Sequence, residues 1–142
     1  MKIKIKKIDS SIQLPEYKTS GAVGFDLATT KDMVIQPKTI ELVPTGLIVC
    51  IPEGHMLLLA ARSSLPIKKG LMMPNGIGII DQDYCGPEDE LKLQIYNFTD
   101  EPIQVKKGDR LCQGVFVKIE KAEWEEVQKL PDKTRGGFGT TG

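Results

Sequence analysis

A chain of 142 residues fits one domain and is long enough to bury roughly two-thirds of its surface on folding. Nineteen basic and nineteen acidic residues give zero net charge, which excludes a bulk preference for nucleic acid and confines any polyanion site to a local patch. No apolar run reaches the roughly 18 residues of a membrane span, and the alternating Lys and Ile of the first eight residues leave no apolar core for a signal peptide.

In chain order, the apolar runs are short: Ile3–Ile5, Glu41–Val49, Met56–Ala61, Leu91–Ile95, Ile103–Val105 and Leu111–Ile119. Gly, Pro or Asp punctuates nearly all of them, and no repeat or linker block interrupts the pattern. Many short strands with turn signals predict an all-β sandwich or barrel. Leu47-Ile48-Val49 and Leu57-Leu58-Leu59 are continuous runs, as expected for strands buried on both faces. Ser63–Lys69 predicts a short helix, with serines to cap it, Pro66 in its first turn and Gly70 at its end. Ala122–Leu130 has helix propensity, yet Ala122, Trp124 and Glu126 continue the alternation of Val115, Val117 and Ile119, so a strand is the reading there. Three cysteines, Cys50, Cys85 and Cys112, without C-x-x-C spacing argue against a disulfide scaffold or a zinc site, and a reduced, cytoplasmic protein is the expectation.

Five islands carry the chemistry. Gly21–Leu27 is a Gly-x-x-Gly stretch before Asp26, a turn presenting a carboxylate or simply a hairpin with a surface Asp. Ala61–Pro66 sets Arg62, Ser63 and Ser64 where a strand gives way to the helix; a guanidinium, two hydroxyls and backbone N–H groups suit an anion, although a plain N-cap uses the same residues. Asn75–Gly86 opens on an Asn-Gly turn, continues as a strand through Gly78 and Ile80, and ends on Asp81 and Asp83 beside Tyr84. A carboxylate at a strand end beside an aromatic is a candidate general base next to a stacking platform, or an Asp-rich turn. Lys107–Gln113 is a turn entering a strand in which Gln113 is a polar intruder that caps backbone groups or touches a ligand. Lys133–Gly142 sets Arg135 and Phe138 among glycines, a frayed tail or a segment whose N–H groups wrap phosphates while the ring stacks on a base.

In order, these islands resemble the five motifs of the trimeric dUTP pyrophosphatase (dUTPase) family. Gly24–Leu27 is similar to motif one, Arg62-Ser63-Ser64 to motif two, and Asn75–Gly86 to motif three. Gly108–Gln113 is similar to motif four and Arg135–Gly142 to the glycine-rich motif five. The resemblance implies a distorted jelly-roll β-fold assembled as a homotrimer, whose active sites each draw on three chains. It implies hydrolysis of dUTP to dUMP and pyrophosphate with Mg²⁺, and neither nucleic acid nor membrane as a partner. Asp81 would be the general base, and Tyr84 would pack under the deoxyribose and exclude a 2′-hydroxyl. Asn75 and the hairpin backbone around Gly78 and Ile80 would read uracil. Arg62, Ser63, Ser64 and Gln113 would contact phosphates, and Asp26 would touch waters around the Mg²⁺ without ligating it. Arg135 would hold the terminal phosphate and Phe138 would cap the uracil. Residues 1–131 would form the β domain and 132–142 an arm that closes the site. Arg110 reads as a structural partner for Asp81 or Asp83.

The sequence departs from the family pattern at three places. Ser64 stands where glycine is usual, Pro87–Glu90 looks like a short insertion, and Arg135 lies three residues before Phe138 while Lys133 holds the family's arginine position. Arg135 is preferred for the terminal phosphate because a guanidinium fork binds it bidentately. A dCTP deaminase-like enzyme, a non-catalytic nucleotide-binding regulator and a capsid-like structural protein are the alternatives on this fold.

Overall fold

The structure is a computed structural model that describes residues 1–137 and 139; the expectation for Phe138 lies outside these described residues. Eleven strands and one short helix follow in order: β1 (Lys4–Lys7), β2 (Phe25–Ala28), β3 (Met33–Ile35), β4 (Ile40–Pro44), β5 (Leu47–Cys50), β6 (His55–Ala61), α1 (Leu65–Lys69), β7 (Leu71–Met72), β8 (Ile77–Ile80), β9 (Lys92–Asn97), β10 (Ile103–Val105) and β11 (Arg110–Lys118). All pairings are antiparallel. The largest sheet runs β2-β11-β6-β8, a second runs β4-β9-β7, and β1-β5 and β10-β3 form two-stranded ribbons. The architecture is the expected all-β jelly roll.

Alternation builds the core. Phe25 and Leu27, Leu57 and Leu59, and Leu93 and Ile95 point inward from β2, β6 and β9 and pack with Ile35, Val43, Leu71, Val105 and Leu111. Leu47, Ile48 and Val49 are all buried, as their continuous run predicts, whereas Leu58 is half-buried because β6 covers the core with one face only. The apolar stretch Glu41–Val49 breaks at Pro44-Thr45-Gly46. Gly46 has φ +68°, and a Cβ there would collide with the Ile12 side chain, so the chain turns where only glycine fits. The helix keeps its predicted Pro in the first turn and ends on Gly70 in the left-handed region at φ 63°. Ser64 occupies the N-cap but makes no side-chain capping bond.

Two expectations fail. Residues 119–137 form no strand: among the described residues they enter no sheet pairing, and Trp124 is 94% exposed there. Cys50 and Cys85 are joined as a disulfide, with Cα atoms 5.1 Å apart. The turn after β8 folds back onto the end of β5, which sequence spacing alone did not disclose. Cys112 is buried and unpaired, and burial pushes its thiol up to about 12.

Candidate active site

The four-stranded sheet sets Asp26, Gln113, Ala60 and Ile77 in one row, since Asp26 pairs with Gln113, Gln113 with Ala60 and Ala60 with Ile77. Asp26 is therefore a strand residue, not the tip of a turn. Its carboxylate is only 7% exposed and is clamped from three sides. Arg62 Nε lies 3.0 Å from Oδ1, Arg110 donates to Oδ2 at 2.8 Å, and Gln113 Nε2 donates to Oδ1 at 3.3 Å. Arg110 thus partners Asp26, correcting the expectation that it pairs with Asp81 or Asp83. The reason is register: Arg110 begins β11 opposite Ala28 of β2, at the end of the sheet that holds Asp26. Gln113 finds a carboxylate beside it, which the sequence reading of a backbone cap or a ligand contact did not foresee.

Beside this clamp lies a depression of about 320 Å³ lined by Arg62, Ser64, Lys68, Lys69, Asp109 and Arg110 among others. Counting Asp26 beside it, four cationic side chains stand against two carboxylates, a local positive patch on a chain of zero net charge. Lys69 donates to Asp109 Oδ2 at 2.8 Å, and the Lys106 N–H donates to the same oxygen at 3.0 Å. Burial pushes the Asp109 carboxyl up, but these two donors outweigh it and hold it below its ordinary value. Among the described residues the Ser63 and Ser64 hydroxyls make no hydrogen bond, so both remain available to an anion.

Asp81 stands elsewhere. It follows β8 directly, is exposed, and shares a second depression of about 320 Å³ with His55, Gln82, Asp83 and Lys121. Among the described residues its carboxylate accepts no hydrogen bond and forms no ion pair. Tyr84 is 39% exposed and donates its hydroxyl to the Glu90 carbonyl at 3.1 Å. Asn75 is exposed at the opposite end of β8, with Gly76 at φ 71° turning the chain into Ile77. Gly78 packs against Leu59, where a Cβ would sit 3.2 Å from the Leu59 Cβ, while Ile80 is half-buried.

Within one chain, Asp81 and Asp26 do not meet. Three strand spacings separate β2 from β8, roughly 14 Å, and four residues carry the chain roughly 13 Å beyond the row, so the Asp26 and Asp81 backbones lie on the order of 19 Å apart. Arg135 is exposed and forms no hydrogen bond or ion pair with another described residue. The structure therefore gathers Asp26, Arg62, Ser64 and Gln113, adds Arg110, and leaves Asp81, Tyr84 and Arg135 apart from them.

As for a cation, Asp26 Oδ2 accepts from Arg110, Oδ1 accepts from Gln113 and pairs with the Arg62 guanidinium, and the described residues contain no cluster of three or more His, Cys, Asp or Glu able to hold a metal ion. With the Asp26 oxygens so engaged, the donor set fits a hard cation that would arrive on a phosphate ligand and keep its waters.

Residues 10–142 match the family model described as dUTPase. The deoxyuridine 5′-triphosphate nucleotidohydrolase of Helicobacter pylori strain J99 is 40% identical over 144 aligned positions, covering 100% of this chain and 97% of the relative. The enzyme of the same name from Finegoldia magna is also 40% identical, covering 100% of this chain and 99% of its own length. Among solved structures, the dUTPase from Streptococcus mutans superposes with a TM-score of 0.78 at 34% identity, over 86% of this chain and 98% of that one.

Proposed function

Because the chain belongs to the dUTPase family and is a dUTP diphosphatase, converting dUTP to dUMP, we propose that it does so by in-line attack of water on the α-phosphate. The convergence of Arg62, Arg110 and Gln113 on the buried Asp26, beside a cationic depression, carries this reading. A triphosphate is recognised there by fixed donors, and Asp26 keeps the two guanidinium groups from recoiling from each other. Arg62, Ser63, Ser64 and Gln113 bind its oxygens. Most of the rate comes from holding the phosphate chain in line and stabilising charge as the bond to the leaving pyrophosphate breaks. Mg²⁺, when bound, neutralises phosphate charge.

Asp81 is the general base. An exposed carboxylate that no other described residue engages is open to accept the proton of the attacking water. Tyr84 sits three residues on and packs beneath the deoxyribose, filling the volume of a 2′-hydroxyl. Asn75 and the backbone at Gly78 and Ile80 read the uracil edge, whose donor and acceptor pattern differs from that of cytosine.

The working unit is a homotrimer with shared sites. Its support is the separation of Asp81 from the phosphate cluster, which one chain cannot close, and the apolar surface left uncovered. Ile77 and Ile79 on β8 are 47% and 58% exposed, and Trp124 and Leu130 project from the tail. Residues 1–131 are the β domain and residues 132–142 the arm that closes over a site, with Arg135 on the terminal phosphate and Phe138 over the uracil. The enzyme works in the cytoplasm, where it limits uracil incorporation into DNA and supplies dUMP for thymidylate synthesis. No helix among the described residues is long and apolar enough to cross a membrane.

Turnover of dUTP in ¹⁸O-labelled water tests the reaction. Attack at the α-phosphate places the label in dUMP, whereas label in pyrophosphate would refute it.

A further inference from the structure

The loop between β8 and β9 carries both Asp81 and Tyr84, and its attachment to the rest of the molecule is sparse. Within it, the Tyr84 N–H donates to the Asp81 carbonyl, the Cys85 N–H to the Asp83 carbonyl, and the Gly86 N–H to the Asp89 carboxylate at 2.6 Å. The Tyr84 hydroxyl reaches the Glu90 carbonyl, again inside the loop. Hydrogen bonds to the body occur only near its two ends. Gln82 donates to the His55 carbonyl at 3.0 Å, and the Gly46 N–H donates to the Glu90 carboxylate at 2.7 Å. Among the described residues, every hydrogen bond made by residues 83–89 ends within 81–90. Their one bond to the remainder of the fold is the disulfide from Cys85 to Cys50.

Cys50 is the last residue of β5, whose Leu47, Ile48 and Val49 are buried in the core. The disulfide therefore fastens the middle of the loop, one residue from Tyr84, to a rigid strand. Both cysteines are half-buried, open enough for thiol exchange, and their Cα separation of 5.1 Å suits a bridge without backbone movement. Cys112 takes no part, since it is wholly buried and its thiol is pushed up to about 12. A disulfide in a protein of a reducing compartment is usually transient and redox-sensing.

We propose that Cys50 and Cys85 form a reversible thiol–disulfide couple that fixes the Tyr84 loop when oxidised and loosens it when reduced, so that the redox state sets the affinity for dUTP. The inference rests on the site proposed above. Oxidation proceeds by exchange with a low-molecular-weight disulfide. The thiolate of one cysteine attacks a sulfur of that disulfide, releasing one small thiol and leaving a mixed disulfide on the protein. The second cysteine, as its thiolate, attacks the protein sulfur of that intermediate and expels the second small thiol. Two protein thiols have then given two electrons and two protons to the small disulfide, which becomes two thiols.

The test compares the full-length enzyme reduced with dithiothreitol and oxidised with glutathione disulfide, each freed of reagent, with thiols counted by alkylation and mass spectrometry. Cys50→Ser and Cys85→Ser are measured alongside. If the freed loop is competent about a fifth of the time, the apparent affinity falls about fivefold. The reduced enzyme should then show a KM for dUTP about fivefold above that of the oxidised enzyme, with kcat within a factor of about two. Both serine variants should match the reduced enzyme and ignore the oxidant. Amide hydrogen exchange across residues 81–90 should be faster in the reduced state and in both variants, a readout that does not depend on turnover. Equal exchange in the two states, equal KM, or failure of glutathione disulfide to consume two thiols would overturn the proposal. An enzyme that leaves dUTP intact in both states would instead refute the dUTPase site, and the exchange comparison would still decide whether the couple controls the loop.

Discussion

Replacing Asp26 by Asn keeps the side chain's size and removes its charge. The carboxylate is 7% exposed, whereas its partners Arg62 and Arg110 are 31% and 43% exposed. Breaking a fully buried pair costs about 3–5 kcal/mol and breaking an exposed one about 0–1 kcal/mol. With a buried acid and half-exposed bases, Asp26→Asn should cost about 1–3 kcal/mol, because the two guanidinium groups keep water on their outer sides. A shift of about 2–4 °C per kcal/mol for a chain near this size gives a Tm lower by about 2–12 °C. The assay is a double-mutant cycle with Arg110→Gln, read by urea denaturation at one fixed protein concentration because subunit assembly contributes to stability. The two changes should couple by at least about 0.5 kcal/mol, since either alone removes the charge pair across the 2.8 Å contact. Additivity within about 0.3 kcal/mol would refute the clamp.

Three further outcomes are expected. Gly114→Ala would place a methyl 2.5 Å from Phe25 Cζ and 3.2 Å from Leu57 Cδ1, and this overpacking should cost about 1–3 kcal/mol; an unchanged urea midpoint would contradict it. Asp109 has its carboxyl held below the ordinary 3.8, so its pairing with Lys69 contributes stability above about pH 4 and loses it as pH falls through the lowered folded value. The stability gap between wild type and Asp109→Asn should therefore shrink on acidification below about pH 4, and a gap that widens would be the wrong sign. Asp81→Asn chains refolded together with chains truncated after Pro131 should recover about a quarter of the sites if base and arm come from different chains of a cyclic trimer. Mixed trimers with no recovered activity would show that base and arm belong to one chain.

Local signals carried most of the fold. Gly70 stops α1, Asn75-Gly76 turns into β8, and Gly108 turns into β11, each through glycine at positive φ. Local placement was legible where a motif sits in one short stretch of chain, as with Arg62-Ser63-Ser64 between β6 and α1 or Asp81 directly after β8. What depends on register was not. Arg110 reaches Asp26 because β11 pairs with β2, and Cys85 reaches Cys50 because the loop after β8 folds onto β5. Neither approach leaves a mark in sequence spacing, since the partners are 84 and 35 residues apart. Glu90 is a similar case: Pro87–Glu90 reads as a short insertion, yet Glu90 holds the Gly46 N–H and anchors the loop. The tail is the opposite case, because Ala122, Trp124 and Glu126 alternate like a strand but pair with no strand among the described residues.

Turnover of dUTP by Asp81→Asn tests the central claim most directly. The carboxylate has no hydrogen-bond or ion-pair partner to lose among the described residues, so the variant should keep its stability and its binding of a non-hydrolysable dUTP analogue. Its kcat should fall by roughly two to four orders of magnitude, the scale of a lost general base. A variant that folds, binds the analogue and releases pyrophosphate at the wild-type rate would remove Asp81 from the chemistry and contradict the account.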